Sequence, residues 1–165
     1  MMIEIPKDVQ VELKGDTVII SGKLGKLERP FKTLGVKIEK KDNSLEVNGG
    51  EGGKMLAGTI ESHIKNMFKG VTEGFSHKLQ TVHSHFPMSV EVKGDKVLIK
   101  NFIGEKKPRT ADIVGKTKVE VKGADILVSG PDKEAVGQTC ANISLATVIK
   151  QKDCRVFQDG IYMVE

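Results

Sequence analysis

The chain has 165 residues, of which 38% are hydrophobic and 29% charged, a balance that excludes a disordered segment and leaves room for one ordinary domain or two small ones. Its formal charge of +4 suits a polyanionic partner without requiring one. Aromatic residues are 4% of the chain, with no Trp and one Tyr, which limits any recognition surface built on stacked rings. No run approaches the ~18 consecutive apolar residues of a membrane span. The start, Met1 to Pro6, lacks the basic-then-apolar order of a secretory leader, and the two cysteines are too few for a disulfide framework. A cytoplasmic compartment is expected.

Val9, Val11 and Leu13 alternate with polar residues, Lys14-Gly15-Asp16 interrupts, and Val18, Ile19 and Ile20 follow, which predicts a β-hairpin. Ile38 to Val47 predicts a second hairpin turning around Lys41 to Ser44. From Lys54, Leu56, Ile60, Ile64, Met67 and Phe68 recur at helical spacing, with Gly70 placed to end the helix. Val71 to Pro87, carrying Phe75, Leu79, Val82 and Phe86, is expected to be extended and to supply a strand joining two halves. The second half then repeats the first. Val90-Glu91-Val92-Lys93-Gly94-Asp95-Lys96-Val97-Leu98-Ile99 echoes residues 11–20 at an offset of 79, and Val119-Glu120 and Val128-Ser129-Gly130 echo Ile38-Glu39 and Val47-Asn48-Gly49 at an offset of 81. Thr139 and Asn142 fall opposite Thr59 and Ser62. Strands at 88–93, 96–101, 117–122 and 125–129 and a helix at 133–149, capped by Asp132, complete the copy. The expected fold is α+β: two tandem copies of a small domain of antiparallel strands and one helix around a single core, at residues 1–87 and 88–165.

Few residues suggest chemistry. Gly49-Gly50-Glu51-Gly52-Gly53-Lys54 lies between strand and helix, but a phosphate-cradling Walker loop needs Gly where Asn48 stands and Ser or Thr where Met55 stands. His83 and His85 share a face of an extended segment near His77, with no third and fourth ligand at zinc spacing. Cys140 falls on the apolar stripe of the second helix, and neither it nor Cys154 has a base beside it. No carboxylate pair stands out for acid–base work. No catalytic residue, metal or cofactor is expected, and the chain is not read as an enzyme.

Basic residues carry more information. Each half, divided after Pro87, holds 13 Lys and Arg against 11 Asp and Glu, so the difference between halves is local. Lys100, Lys106, Lys107, Arg109, Lys116 and Lys118 crowd a stretch with only Glu105 and Asp112 in opposition. Gly104, Pro108 and Gly115 predict a long exposed loop there, from which these side chains extend without disturbing the core. The tail adds Lys150, Lys152 and Arg155. A phosphate-contacting patch is the reading favoured. The first half has a thinner version in Lys23, Lys26 and Arg29. A tandem adaptor that binds proteins through open strand edges is the alternative.

Three stretches resemble the large-subunit ribosomal protein six family in its archaeal and eukaryotic form: Lys69-Gly70-Val71-Thr72-Glu73-Gly74-Phe75, Asn101-Phe102-Ile103-Gly104-Glu105-Lys106, and the ending Lys150 to Tyr162. The resemblance spans the chain, departing at Leu145, where the family signature carries Gln. It implies a protein without catalysis, docked on large-subunit ribosomal RNA near the sarcin–ricin loop and stalk base, where translational GTPases bind. Neighbouring large-subunit proteins would be its other partners, with no membrane. It also implies that the second domain makes most of the RNA contact. The expected RNA-binding residues are Lys100, Lys106, Lys107, Arg109, Lys116, Lys150, Lys152, Arg155, Gln158 and Tyr162.

Overall fold

The computed structural model describes all residues except 1, 7, 16, 32–35, 42–43, 50–52, 151, 154 and 165. The chain divides into two compact units, residues 1–74 with 131–133 and residues 75–130 with 134–165.

The first unit begins with the short strand β1 (Met2–Glu4). The alternating run becomes β2 (Gln10–Lys14), and the apolar run becomes β3 (Thr17–Gly22). β4 (Gly25–Pro30) closes this three-stranded antiparallel sheet in the order β2-β3-β4. β5 (Val36–Lys41) and β6 (Ser44–Gly49) form the second hairpin, with β1 added outside β6. The helix α1 (Lys54–Thr72) buries Ala57, Ile60, Ile64, Met67, Phe68 and Val71 in one core with Val11, Val18, Ile20, Leu45 and Val47. Gly22 lets the helix pass close over the sheet. A Cβ there would lie 2.8 Å from Val71, and the Leu24 N–H donates to the Val71 carbonyl at 3.0 Å. The helix ends later than expected. Gly70 is buried within it, and Gly74, at φ +79°, turns the chain out and donates to the Lys69 carbonyl.

The second unit begins with β7 (Phe75–Val82), the strand expected to join the halves. β8 (Ser89–Lys93) and β9 (Lys96–Lys100) pair in the same register as their first-unit counterparts: Val90 faces Ile99 as Val11 faces Ile20. β10 (Arg109–Asp112) extends that sheet. β11 (Lys118–Lys122) and β12 (Asp125–Gly130) pair Val119 with Val128, as Ile38 pairs with Val47. The helix α2 (Lys133–Ala146) starts directly after Asp132 and stops short of the expected 149. β13 (Gly160–Val164) comes last.

Strand order makes the duplication explicit. The sheets β2-β3-β4 and β1-β6-β5 of the first unit have the counterparts β8-β9-β10 and β7-β12-β11 in the second. β7 is therefore the equivalent of β1, hydrogen-bonded on both edges within its own unit, to β12 and β13. The second copy starts at Phe75 rather than at Met88. β13 is its one added strand. Leu79, Val97, Ile99, Phe102, Ile126, Val128, Val136, Cys140, Ile143 and Ile161 fill its core. The tandem α+β class expected from the repeat is the class found. The stretch 100–118, expected as one long loop, is instead interrupted by a 3₁₀ turn (Phe102–Gly104) and by β10.

Candidate nucleic-acid interface

The 3₁₀ turn is tightly specified. Asn101 and Ile103 hold left-handed conformations at φ 59° and 49°, followed by Gly104 at 75°. Asn tolerates that region and Gly prefers it, but for a β-branched Ile it is strained. Packing overrides the strain: Phe102 is fully buried, Ile103 packs on the core beside it, and the Asn101 side chain donates to the Pro87 carbonyl at 2.8 Å. Such over-determined strain recurs where a loop must present groups in fixed positions. The groups presented here are Glu105, Lys106, Lys107 and Arg109.

Arg109 departs from the expectation. Its guanidinium takes both oxygens of Glu105, Nη2 at 2.6 Å and Nε at 2.9 Å, in a bidentate fork. Nη1 donates to the Ala146 and Val148 carbonyls at 2.9 and 3.0 Å, at the C-terminal end of α2, where helix carbonyls lack partners and favour a cation. The same group lies 4.3 Å from the centroid of the Phe102 ring. The hydrogen bonds and positive charge of the Arg109 fork hold the Glu105 carboxyl below its ordinary pKa, outweighing the upward push of its partial burial. A side chain read as reaching freely out of a loop is thus the clasp that ties the 105–109 segment to the end of α2, because it opens a strand rather than sitting mid-loop.

That clasp brings two of the sequence-identified segments together. Lys106 and Lys107 are exposed in the turn before β10, and Lys150 is exposed two residues beyond Val148. None of the three has an ion pair with any described residue. Lys100 ends β9 beside the 3₁₀ turn and bridges to Glu91 at 2.6 Å across the surface. Lys116 is held elsewhere. Its turn is fixed by the Val114 N–H donating to Thr139 Oγ1 and by Gly115 lying over Ala135, at the first turns of α2. Helix rise alone separates Ala135 from Ala146 by about 16 Å. The ten expected residues are therefore not one cluster.

Beyond α2 the tail folds back on the unit. Thr147 is buried, donating to the Ser144 carbonyl and accepting from the Ile161 N–H at 3.0 Å. Asp153 caps a turn, with Oδ1 taking the Arg155 N–H at 2.9 Å and its carbonyl taking the N–H groups of Val156 and Phe157. Lys152 Nζ sits 4.4 Å from the Phe157 centroid, and His85 stacks on the same ring at 4.6 Å. Gln158 Nε2 donates to the Arg155 carbonyl, and the Tyr162 hydroxyl donates to the Gln158 carbonyl while its ring closes over Gly160. Both expected contacts are thus partly spent within the tail.

The residue that sequence reading missed is Asp159, a carboxylate left 2% exposed. Its Oδ2 takes the His85 Nδ1 at 2.7 Å, and its Oδ1 takes the backbone N–H groups of Ser84 and His85 and the Ser84 hydroxyl. Burial by itself would push this carboxyl up, but the donors from Ser84 and His85 prevail and hold it below its ordinary range. Ser84, His85 and Asp159 do not make a hydrolytic relay. Ser84 Oγ (3.0 Å) and Asp159 both meet the same ring nitrogen, whereas proton relay needs them on opposite nitrogens. Among the described residues no group of His, Cys, Asp and Glu is arranged to hold a metal ion. Cys140 is buried on the α2 stripe, and burial raises its thiol pKa. Cys154 and the centre of the Gly49–Lys54 segment, residues 50–52, lie outside the described residues. Among the described residues no helix is long and apolar enough to cross a membrane.

The family model described as Ribosomal protein L6 matches residues 5–74 and 86–160, one segment in each unit. The chain belongs to the ribosomal protein L6 family. It is 49% identical to the large ribosomal subunit protein uL6 of Methanosarcina mazei, the alignment covering 99% of this chain and 94% of that one. It is 48% identical to the proteins of the same name from Thermoplasma volcanium and Aeropyrum pernix, over 99% of this chain and 93% and 92% of theirs. The archaeal resemblance seen in the tail signature agrees with these relatives. L6 proteins are ribosomal constituents, and the non-enzymatic reading stands with the family.

Proposed function

We propose that this chain is a structural component of the large ribosomal subunit, binding large-subunit ribosomal RNA chiefly through its second unit. The observation that carries the reading is the set of cations the second unit leaves unneutralised. Lys106, Lys107 and Lys150 are gathered by the Arg109 clasp, and each stands exposed without an ion pair to a described residue. In the first unit Lys23 is 2.7 Å from Asp8 and Lys26 is 3.4 Å from Glu28. Phosphates displace such surface pairs only at some cost, so equal net charge does not mean equal capacity for RNA. Few aromatics favour recognition of backbone and shape over base stacking. The docking place suggested by the family resemblance is the neighbourhood of the sarcin–ricin loop and stalk base. There the protein would brace the region engaged by translational GTPases, beside other large-subunit proteins, in the cytoplasm.

The test is binding of the full chain to a large-subunit ribosomal RNA transcript across a salt series. Changing Lys106, Lys107 and Lys150 to Ala removes about three phosphate contacts, which lowers the salt slope by about 2.1–2.7 at ~0.7–0.9 per contact. Changing Lys23, Lys26 and Arg29 to Ala has the smaller effect. A larger loss from the first-unit set would overturn this orientation on RNA.

A further inference from the structure

We infer that Asp159 is a positioning residue for RNA binding, the anchor that holds the cationic segment 150–158 in place against the loop that follows β7. The inference rests on the RNA-binding reading above and adds a residue that does not itself touch RNA.

The argument starts from cost. A buried carboxylate is expensive unless donors replace its water, and Asp159 receives four: two backbone N–H groups, one hydroxyl and one imidazole N–H. Those donors come from Ser84 and His85, about 75 residues away in sequence, so the carboxylate is a tertiary cross-link and not a local cap. It also lies at the edge of the ladder. Gly160 pairs with Val82, so Asp159 extends the β13–β7 connection one step into the irregular segment. The cross-link orients the His85 ring, the ring stacks on Phe157, and Phe157 carries the Lys152 ammonium over its face. Arg155 sits on the Asp153 turn between these anchors.

From Lys150 to Gln158 the described residues bury no side chain. Among the described residues, the other contacts of this segment are its own turn at Asp153, the Tyr162 hydroxyl on the Gln158 carbonyl, and a His85 ring that Asp159 itself orients. Without Asp159, Lys152 and Arg155 would have to be ordered at the moment of binding, at an entropy cost that cancels what two exposed phosphate contacts return, so those contacts go unmade. The anchor removes the cost in advance.

The experiment is a mutant cycle in the full chain, with a large-subunit ribosomal RNA transcript as the probe. Asp159→Ala should weaken binding about tenfold or more at 0.1 M salt and lower the salt slope by roughly 1.4–1.8, the share of two phosphate contacts. Lys152→Ala with Arg155→Ala should give the same loss and add less than about twofold in the Asp159→Ala background. Lys106→Ala with Lys107→Ala should keep its full effect there, which a general loss of fold would abolish. Where Asp159→Ala does not fold, His85→Ala serves in the same cycle: it leaves the carboxylate its backbone donors and removes the ring on which Phe157 stacks. Full additivity between the tail pair and the anchor, or an unchanged salt slope, overturns the inference while leaving RNA binding in place. A wild-type chain that does not bind the transcript overturns both.

Discussion

Replacing Arg109 by Ala separates architecture from RNA contact. Three interactions disappear together. The Glu105 fork is partly solvated, so it contributes about 0.5–1 kcal/mol after screening. The two carbonyl acceptors at the end of α2 lose a cation that also complements the helix dipole, about 1 kcal/mol. The contact with the Phe102 face adds about 0.5–1 kcal/mol. The sum is about 2–3 kcal/mol, which for a unit of this size lowers Tm by roughly 8–24 °C. Thermal and urea unfolding followed by circular dichroism measures it. Arg109→Lys should recover less than half, since an ammonium cannot span the carboxylate and both carbonyls. Lys106→Ala with Lys107→Ala, on the same turn, should change stability by under ~0.5 kcal/mol. An Arg109→Ala protein as stable as wild type would refute the clasp and restore Arg109 to the free cations of the surface.

Gly22→Ala should destabilise the first unit by about 1–3 kcal/mol, because the added methyl meets Val71 at 2.8 Å and the helix must move; urea midpoints would show it, and a neutral result would mean the helix–sheet contact yields freely. Acid should destabilise the second unit in advance of global charge repulsion. Asp159 and Glu105 both have folded pKa values below the ordinary ~4, so their stabilisation is complete above that value and disappears as pH falls through the depressed ones. Urea midpoints from pH 7 to pH 2 should fall along that limb, and Asp159→Asn should flatten it; an unchanged limb would mean the carboxylate contributes nothing.

How far the fold could be read depended on which faces are buried. β2, β3, β8 and β9 present alternating or continuous apolar residues, and the offset between Val11 and Val90 even carried the register. β4 and β10 escaped notice because Gly25–Pro30 and Arg109–Asp112 are edge strands, hydrogen-bonded on one side and mostly polar. β7 was recognised as a strand, but its allegiance was not. Only the pairing of Leu79 with Ile126, matching Ile3 with Leu45, shows that it opens the second copy. Sequence similarity between β1 and β7 is too slight to signal it.

For the proposed site the sequence displays charge but not pairing, and the difference has a physical basis. A count of Lys and Arg is a property of composition, whereas the capacity to bind phosphate depends on which of them the fold has already neutralised. Lys23, Lys100 and Arg109 all sit against carboxylates brought from elsewhere in the fold or along the loop, while Lys106 and Lys107, beside Arg109 in sequence, do not. The same reasoning explains Asp159. In the tail it reads as one more surface acid weakening a basic stretch by a unit of charge. Buried against Ser84 and His85, it withdraws that negative charge from the surface proposed to meet RNA and anchors the segment that carries the tail cations. An acid in a phosphate-binding segment is thus no argument against binding when its donors take it inside. The sequence cue available in advance was modest: an Asp directly before Gly160 and an apolar strand, where a solvated loop residue would have no need of position.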